Sequence, residues 1–188
     1  SLVVSFTEHF NRIGTIRNGQ AIVQPGVYYR DFERATLKHG FLLPSFPASR
    51  ELATVGGMVA NNSGGEKTLA YGKTADYVES LKVVLADGCE HELNALTRPQ
   101  LAAKKKRRTF EGRLYRTIDA ILTKNAAAIS LAKPKVSKNS AGYALWNVLN
   151  EEKKTFDLAQ LIVGSQGTLG LISQITFRLI KPKIHRRM

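Results

Sequence analysis

ATVGGMVANNSGGEKTLAYGKTADYV, residues 53–78, sets five glycines beside a small apolar cluster. A floppy linker would lack the apolar residues, so the run reads as a folded loop around one short helix. Glycine lets backbone approach a ligand closely, with no Cβ in the way. Gly56 and Gly57 lead into the short helix, and helix N-termini attract phosphate. Asn61, Asn62 and Ser63 add side-chain donors and acceptors, and Gly64 and Gly65 permit a second tight bend. Together these residues can hold a diphosphate or a planar heterocycle. Taken alone, the glycines can equally do no more than turn the chain. No Gly-Lys-Ser/Thr follows, so the run is not a P-loop, and the Gly-x-Gly-x-x-Gly spacing of a dinucleotide fingerprint is absent.

Upstream, Ala21–Gln24 predicts a short strand stopped by Pro25-Gly26. Tyr28–His39 has a helical period, with Tyr28, Phe32, Ala35 and Leu37 as its apolar face and Gly40 as its stop. Residues 41–47 are extended, because Pro44 and Pro47 exclude helix. Downstream, Tyr77–Leu85 predicts a mostly buried strand, Ala86-Asp87-Gly88 a turn, and Cys89–Leu93 the returning strand. Arg98–Ser130 is predominantly helical, its second helix presenting Leu114, Ile118, Ile121 and Leu122. Residues 135–146 form an ordered connection, since Tyr143, Leu145 and Trp146 are costly to expose. Asp157–Val163 is a short helix or strand. Leu171–Ile180 is the last strand, with Ile175, Phe177 and Leu179 alternating with Thr176 and Arg178.

Two further segments are site candidates. Gly164–Gly170, GSQGTLG, places three glycines between an apolar segment and a strand, where backbone can approach a ring system or merely make a tight connection. Lys138–Tyr143, KNSAGY, is a polar turn that either faces a ligand or anchors Tyr143 in the core.

The chain has 188 residues, enough for one domain with its own core. Its single cysteine, Cys89, makes no intrachain bridge and reads as a structural residue in a reducing compartment. Net charge is +13, which favours an anionic partner or simply a solvated basic surface. Lys104–Arg108 is read as a solvated stretch, without the interleaved aromatics of single-strand binding. His9, His39, His91 and His185 lack metal-ligand spacing and are read as surface or helix-end residues. No Gly-x-Ser-x-Gly elbow supports hydrolase chemistry, and no run approaches the roughly 20 apolar residues of a membrane span. No signal peptide is read at the start. The chain opens within a strand-like run, Leu2-Val3-Val4, and is expected to be a piece of a longer protein.

The segments 23–49, 53–78, 138–145 and 163–177, in this order, resemble the FAD-binding domain (PCMH-type, FAD-binding type 4) of the vanillyl-alcohol oxidase flavoprotein family, in its D-lactate dehydrogenase and glycolate oxidase branch. The resemblance implies an α+β fold, a mixed or antiparallel sheet flanked by helices, forming the larger lobe of such a domain. It implies residues 1–26 as the remnant of a first lobe and its entry strand, 27–188 as the second lobe, and a substrate cap lying elsewhere. It implies FAD as cofactor. Pro47, Ala48, Ser49 and Thr54 would lie along the flavin and diphosphate. Gly56, Gly57, Asn61, Asn62, Ser63, Gly64, Gly65 and Gly72 would contact the isoalloxazine and the ribityl-diphosphate. Gln166, Gly167, Thr168, Gly170, Leu171 and Ile172 would touch the far portion of the cofactor. Many relatives carry glutamate where this chain has Gln166, which keeps hydrogen-bonding reach without the charge.

The implied parent protein oxidises a 2-hydroxy acid, lactate-like or glycolate-like, by hydride transfer to flavin N5. No catalytic residue and no metal ligand is assigned in this chain, and the fragment alone is expected to be inactive and to hold FAD weakly. The implied location is cytoplasmic, or peripheral to the inner face of a membrane, with no specific nucleic-acid partner. Two other readings stand beside it: a non-catalytic interaction domain of the same fold that has lost flavin, and a basic binder of nucleic acid or an anionic surface.

Overall fold

A seven-stranded sheet organises the chain, in the order β1-β2-β7-β3-β4-β6-β5, with every neighbouring pair antiparallel. The computed structural model describes residues 4–136, 139 and 142–182. Leu2 and Val3 of the opening run, Lys138, Ser140 and Ala141 of the polar turn, and His185 lie outside the described residues.

Strands β1 (Ile13–Arg17) and β2 (Gln20–Val23) form a hairpin through Asn18-Gly19. Both turn residues have positive φ, 52° and 76°, which is the type I′ geometry that suits the right-handed twist of a two-residue hairpin. The residues assigned to a preceding lobe thus supply two strands to this sheet, and β2 lies along β7 (Leu171–Arg178). The final strand of the chain returns to the sheet's interior, between β2 and β3 (Val78–Val84). Beyond β3 come β4 (Glu90–Thr97), β6 (Thr155–Asp157) and β5 (Leu149–Asn150).

Register explains the core. Val23 faces Ile175, Ile175 faces Leu81 and Leu81 faces Leu93, so one buried apolar row crosses four strands. On the other face Ser80 and Thr176 share a hydroxyl hydrogen bond of 3.0 Å. The period of two puts the branched residues inward and the polar ones outward.

Helix α1 (Tyr29–Lys38) packs over β7, with the Phe32 and Phe177 ring centroids 5.8 Å apart. Its buried stripe is Tyr29, Phe32 and Thr36, while Leu37 is 46% exposed. The expected face was out of phase because Tyr28 is the extended residue that precedes the helix. Gly40 ends α1 as expected: at φ 76° its N–H donates to Leu37 O, and Phe41 N–H donates to Thr36 O, the paired bonds of a Schellman stop.

Helix α2 (Val55–Ala60) and the one-turn α3 (Thr68–Tyr71) lie within the glycine-rich run. The region 98–132 divides into α4 (Arg98–Lys106), α5 (Phe110–Lys124) and α6 (Ala126–Ala132). In α5, Tyr115 stacks at 5.9 Å on Phe156 of β6. Burial pushes the Tyr115 phenol above its usual range, aided by the charge of Glu111. The ambiguous segment 157–163 is both elements in turn, the end of β6 and then α7 (Ala159–Ile162). Cys89 is exposed in the turn before β4 rather than a packed strand residue. Asp87, in the same turn, accepts from Cys89 N–H and pairs with His91 at 2.9 Å.

Candidate functional site

The two glycine-bearing turns, whose Asn61 and Gln166 lie 105 residues apart and so roughly 350 Å apart in an extended chain, are knitted together in the fold. Gly164 N–H donates to Val59 O and Gln166 N–H to Ala60 O, each at 2.9 Å. The Gln166 side-chain amide donates to Asn61 Oδ1, also at 2.9 Å. Three hydrogen bonds therefore fasten the C-terminal end of α2 to the loop before β7. Gln166 and Asn62 both hold positive φ, 57° and 45°, a conformation that costs a non-glycine residue on the order of 1 kcal/mol. The Gln166 amide bridge and backbone bond offset that cost.

Thr168 continues the face. Its hydroxyl donates to Ser165 O and receives the Tyr143 phenol at 2.9 Å. Gly142 and Tyr143 of the third candidate segment thus reach the same place as the second, and Asn139 O accepts from Lys73 Nζ at 2.7 Å. Behind this layer Asn62 Oδ1 accepts from Ala75 N–H, and Ser63 O accepts from the Thr74 hydroxyl. A cleft of about 350 Å³ opens there. Asn62, Gly72, Lys73 and Gly164 line one side of it, and Pro134, Val136 and Trp146 are among its apolar residues.

The glycines do not all serve one purpose. A Cβ on Gly56 would stand 2.4 Å from Pro25 Cβ, and one on Gly65 would stand 2.2 Å from Phe46 O. Gly170 is pressed against Val83 and Val84, and Gly64 against Thr68. These four are glycines because the chain packs on itself. Gly72, at φ 78°, would drive a Cβ to 2.2 Å from Asp76 Oδ2. Gly57 is exposed and meets only the Thr54 hydroxyl, at 3.1 Å, and Gly167 faces open space.

The expectation that the start of α2 offers free N–H groups to phosphate is corrected by the backbone. Val55 N–H donates to Val27 O, Gly56 N–H to Pro25 O, and Gly57 N–H to Thr54 Oγ1. The orphan donors of that helix end are already satisfied by the preceding chain. By contrast, the N–H groups of Gly64, Gly65 and Gly167 have no partner among the described residues. The backbone donors left without a described partner thus lie at the second bend and the facing loop.

Pro47, Ala48 and Ser49 form a turn in which Pro47 O accepts from Arg50 N–H and Ser49 O accepts from Leu52 and Ala53 N–H, with Ala48 and Ser49 exposed. Phe46, just before it, abuts Gly65 and carries Arg50 and Lys67 over its ring at 5.3 and 5.2 Å. Leu171 and Ile172 sit on β7 opposite Val84 and Val83. Gly164, the first residue of the second candidate segment, lines the cleft, whereas sequence reasoning did not place Lys73, Val163 or Trp146 there. The lone tryptophan, too costly to expose, was the available pointer. Among the described residues no group of three His, Cys, Asp or Glu is placed to hold a metal, and no helix is long and apolar enough to cross a membrane.

Over 188 residues the chain is 29% identical to D-2-hydroxyglutarate dehydrogenase of Escherichia coli strain K12, covering 98% of this chain and 18% of that protein. It is 33% identical over 190 residues to glycolate oxidase subunit GlcD of Bacillus subtilis, covering 100% of this chain and 29% of the relative. It is 33% identical over 162 residues to D-lactate dehydrogenase of Archaeoglobus fulgidus, covering 86% and 25%. The chain therefore spans less than a third of the length of these curated relatives. Among solved structures, an alkyldihydroxyacetonephosphate synthase superposes over 92% of this chain and 22% of its own, with TM-score 0.53 and 20% identity, a likeness of fold. The family model described as FAD binding domain matches residues 1–94, and the antiparallel sheet flanked by helices agrees with it: the chain belongs to the FAD binding domain family, whose cofactor is FAD.

Proposed function

We propose that this chain forms part of the FAD seat of an oxidoreductase that oxidises a 2-hydroxy acid. The observation that carries the reading is the three-bond junction between the Asn61 turn and the Gln166 loop, which joins two glycine-bearing turns into one face. The residues there suit a flavin. The amides of Asn61, Asn62 and Gln166 and the hydroxyls of Thr168 and Tyr143 are uncharged donors and acceptors, matched to the amide-like pyrimidine end of the ring system. Pro134, Val136 and Trp146 offer an apolar surface to its other end. The N–H groups of Gly64, Gly65 and Gly167, without a partner among the described residues, are donors for such a ligand, and at Gly167 no Cβ stands in the open space beside the backbone.

When bound, FAD supplies the two-electron acceptor, taking a hydride at N5 from the carbon that bears the hydroxyl. This chain's share is to position: the amide bridge fixes the spacing of the two turns, and the packed glycines fix each turn against its neighbours. Preorganisation of this kind lowers the ordering cost of binding. In this reading residues 27–188 are a second lobe, residues 1–26 lead into it from a first, and the groups that bind and deprotonate the substrate belong to the rest of the parent protein. The names of the three relatives, each a dehydrogenase or oxidase of a 2-hydroxy acid, support the substrate class.

The test is anaerobic reduction of the intact protein. It is expected to purify yellow and to lose its visible flavin band on addition of D-2-hydroxyglutarate, D-lactate or glycolate. A colourless protein that takes up no flavin, or a bound flavin that none of the three acids bleaches, would overturn the reading.

A further inference from the structure

Positive charge is gathered at one corner of the molecule. Residues 98–124 hold nine lysines and arginines against Glu111 and Asp119, an excess of seven out of the chain's thirteen. The basic run is not the uniformly solvated stretch that its sequence suggests. Lys104 and Arg107 both pair with Glu111, and Lys105 pairs with Asp119, so the two carboxylates are consumed. Arg116 donates to the carbonyls of Lys105 and Arg107 at the end of α4. Lys106, Arg108 and Arg113 are exposed, and no carboxylate among the described residues pairs with them. The outward side of α5 carries Arg113, Arg116, Thr117, Ala120 and Lys124 with no acidic residue among them. An apolar group on α5 itself, Ile121, is 40% exposed, and the next helix in the chain, α6, contains no charged residue and leaves Leu131 87% exposed.

We propose that the corner formed by α4 and α5 docks the protein on an anionic lipid bilayer. Clustered lysines and arginines on a helical surface are attracted to acidic headgroups, each contributing about a fivefold gain in partition. Exposed apolar side chains beside them can settle at the headgroup boundary, a feature that a phosphate-backbone binder does not need. The corner also lacks the aromatic platforms that stack bases: Phe110 is half-buried and has Arg113 over its ring at 5.6 Å. This surface is independent of the flavin reading, since none of its residues lines the cleft described above.

The test is co-sedimentation of the intact protein with vesicles of phosphatidylcholine, with or without about a third phosphatidylserine. Binding is expected only with the acidic lipid, and is expected to weaken as salt rises. The variant K106Q/R108Q/R113Q should lose about 100-fold in partition, and Thr117→Lys, which adds a charge to the same exposed face, should gain about fivefold. Unchanged melting temperature shows that the triple variant is folded; if it is not, the gain in Thr117→Lys decides. Three results overturn the proposal: equal binding to vesicles without phosphatidylserine, anionic binding that neither variant alters, or tighter binding to duplex DNA that the triple variant abolishes.

Discussion

Gly56 and Gly167 show how differently two glycines of one site are constrained. At Gly56 a methyl group would overlap Pro25 and its carbonyl, so backbone must move. Gly56→Ala is expected to destabilise the protein by about 3 kcal/mol, in the manner of an overpacked core. At Gly167 the space is open and only the φ of 75° opposes a side chain. Gly167→Ala is expected to cost about 1 kcal/mol, through the left-handed conformation alone. Urea unfolding of the two variants measures the difference, and equal costs would contradict the division of roles. Asn61→Ala removes the acceptor for the Gln166 amide at an exposed site. It should cost no more than about 1 kcal/mol of stability while weakening FAD retention, which flavin release on dilution reports. The amide bridge was not readable from the sequence, because Asn61 and Gln166 lie 105 residues apart and only the register of β7 brings them together.

Among the elements, the α4–α5 pair carries the clearest dependence on pH. Burial raises the Glu111 carboxyl, but the hydrogen bonds and charges of Lys104 and Arg107 outweigh it and hold the group below the usual carboxylate range. A carboxyl depressed by folding contributes stability above its unfolded pKa and loses it as pH falls through the folded value. The hairpin is therefore expected to weaken on acidification below the ordinary carboxylate range. Glu111→Gln should remove roughly 2 kcal/mol at neutral pH, between the values for exposed and buried pairs, and flatten that acid limb. Acid titration of both proteins followed by circular dichroism is the check. The sequence showed the basic run but not its pairing, since the carboxylates stand 7 and 14 residues further on, on the next helix. Elsewhere the local signals were sufficient. Gly40 stops α1, Asp87-Gly88 turns β3 into β4, and alternation marks β7. Asn18-Gly19, the strongest hairpin signal in the chain, was available and would have revealed β1. The phase of α1 was not recoverable from periodicity alone, because apolar Leu37 is exposed while polar Thr36 is buried.

For the whole molecule, an antiparallel sheet brings distant loops to one place. β7 inserts between β2 and β3, and this carries the loop before it onto the end of α2. The α+β class was legible from the strand and helix patterns and from the family resemblance. The glycine-rich segments were legible, but the roles of single glycines were not, since a glycine packed against its own chain and one beside open space look alike in sequence. Leu81→Ala would test how far the site depends on the sheet. Leu81 is fully buried in the row that joins β7 to β3, and its truncation should cost about 3 kcal/mol and lower flavin retention with no change at the loops themselves. In the proposed function the two turns hold a single flavin between them. A structure of the intact protein with FAD bound tests it most directly. Ring-system contacts within hydrogen-bonding distance of both the Asn61–Gly65 turn and the Gln166–Thr168 loop are predicted, and a flavin that touches only one of the two, or neither, would contradict it.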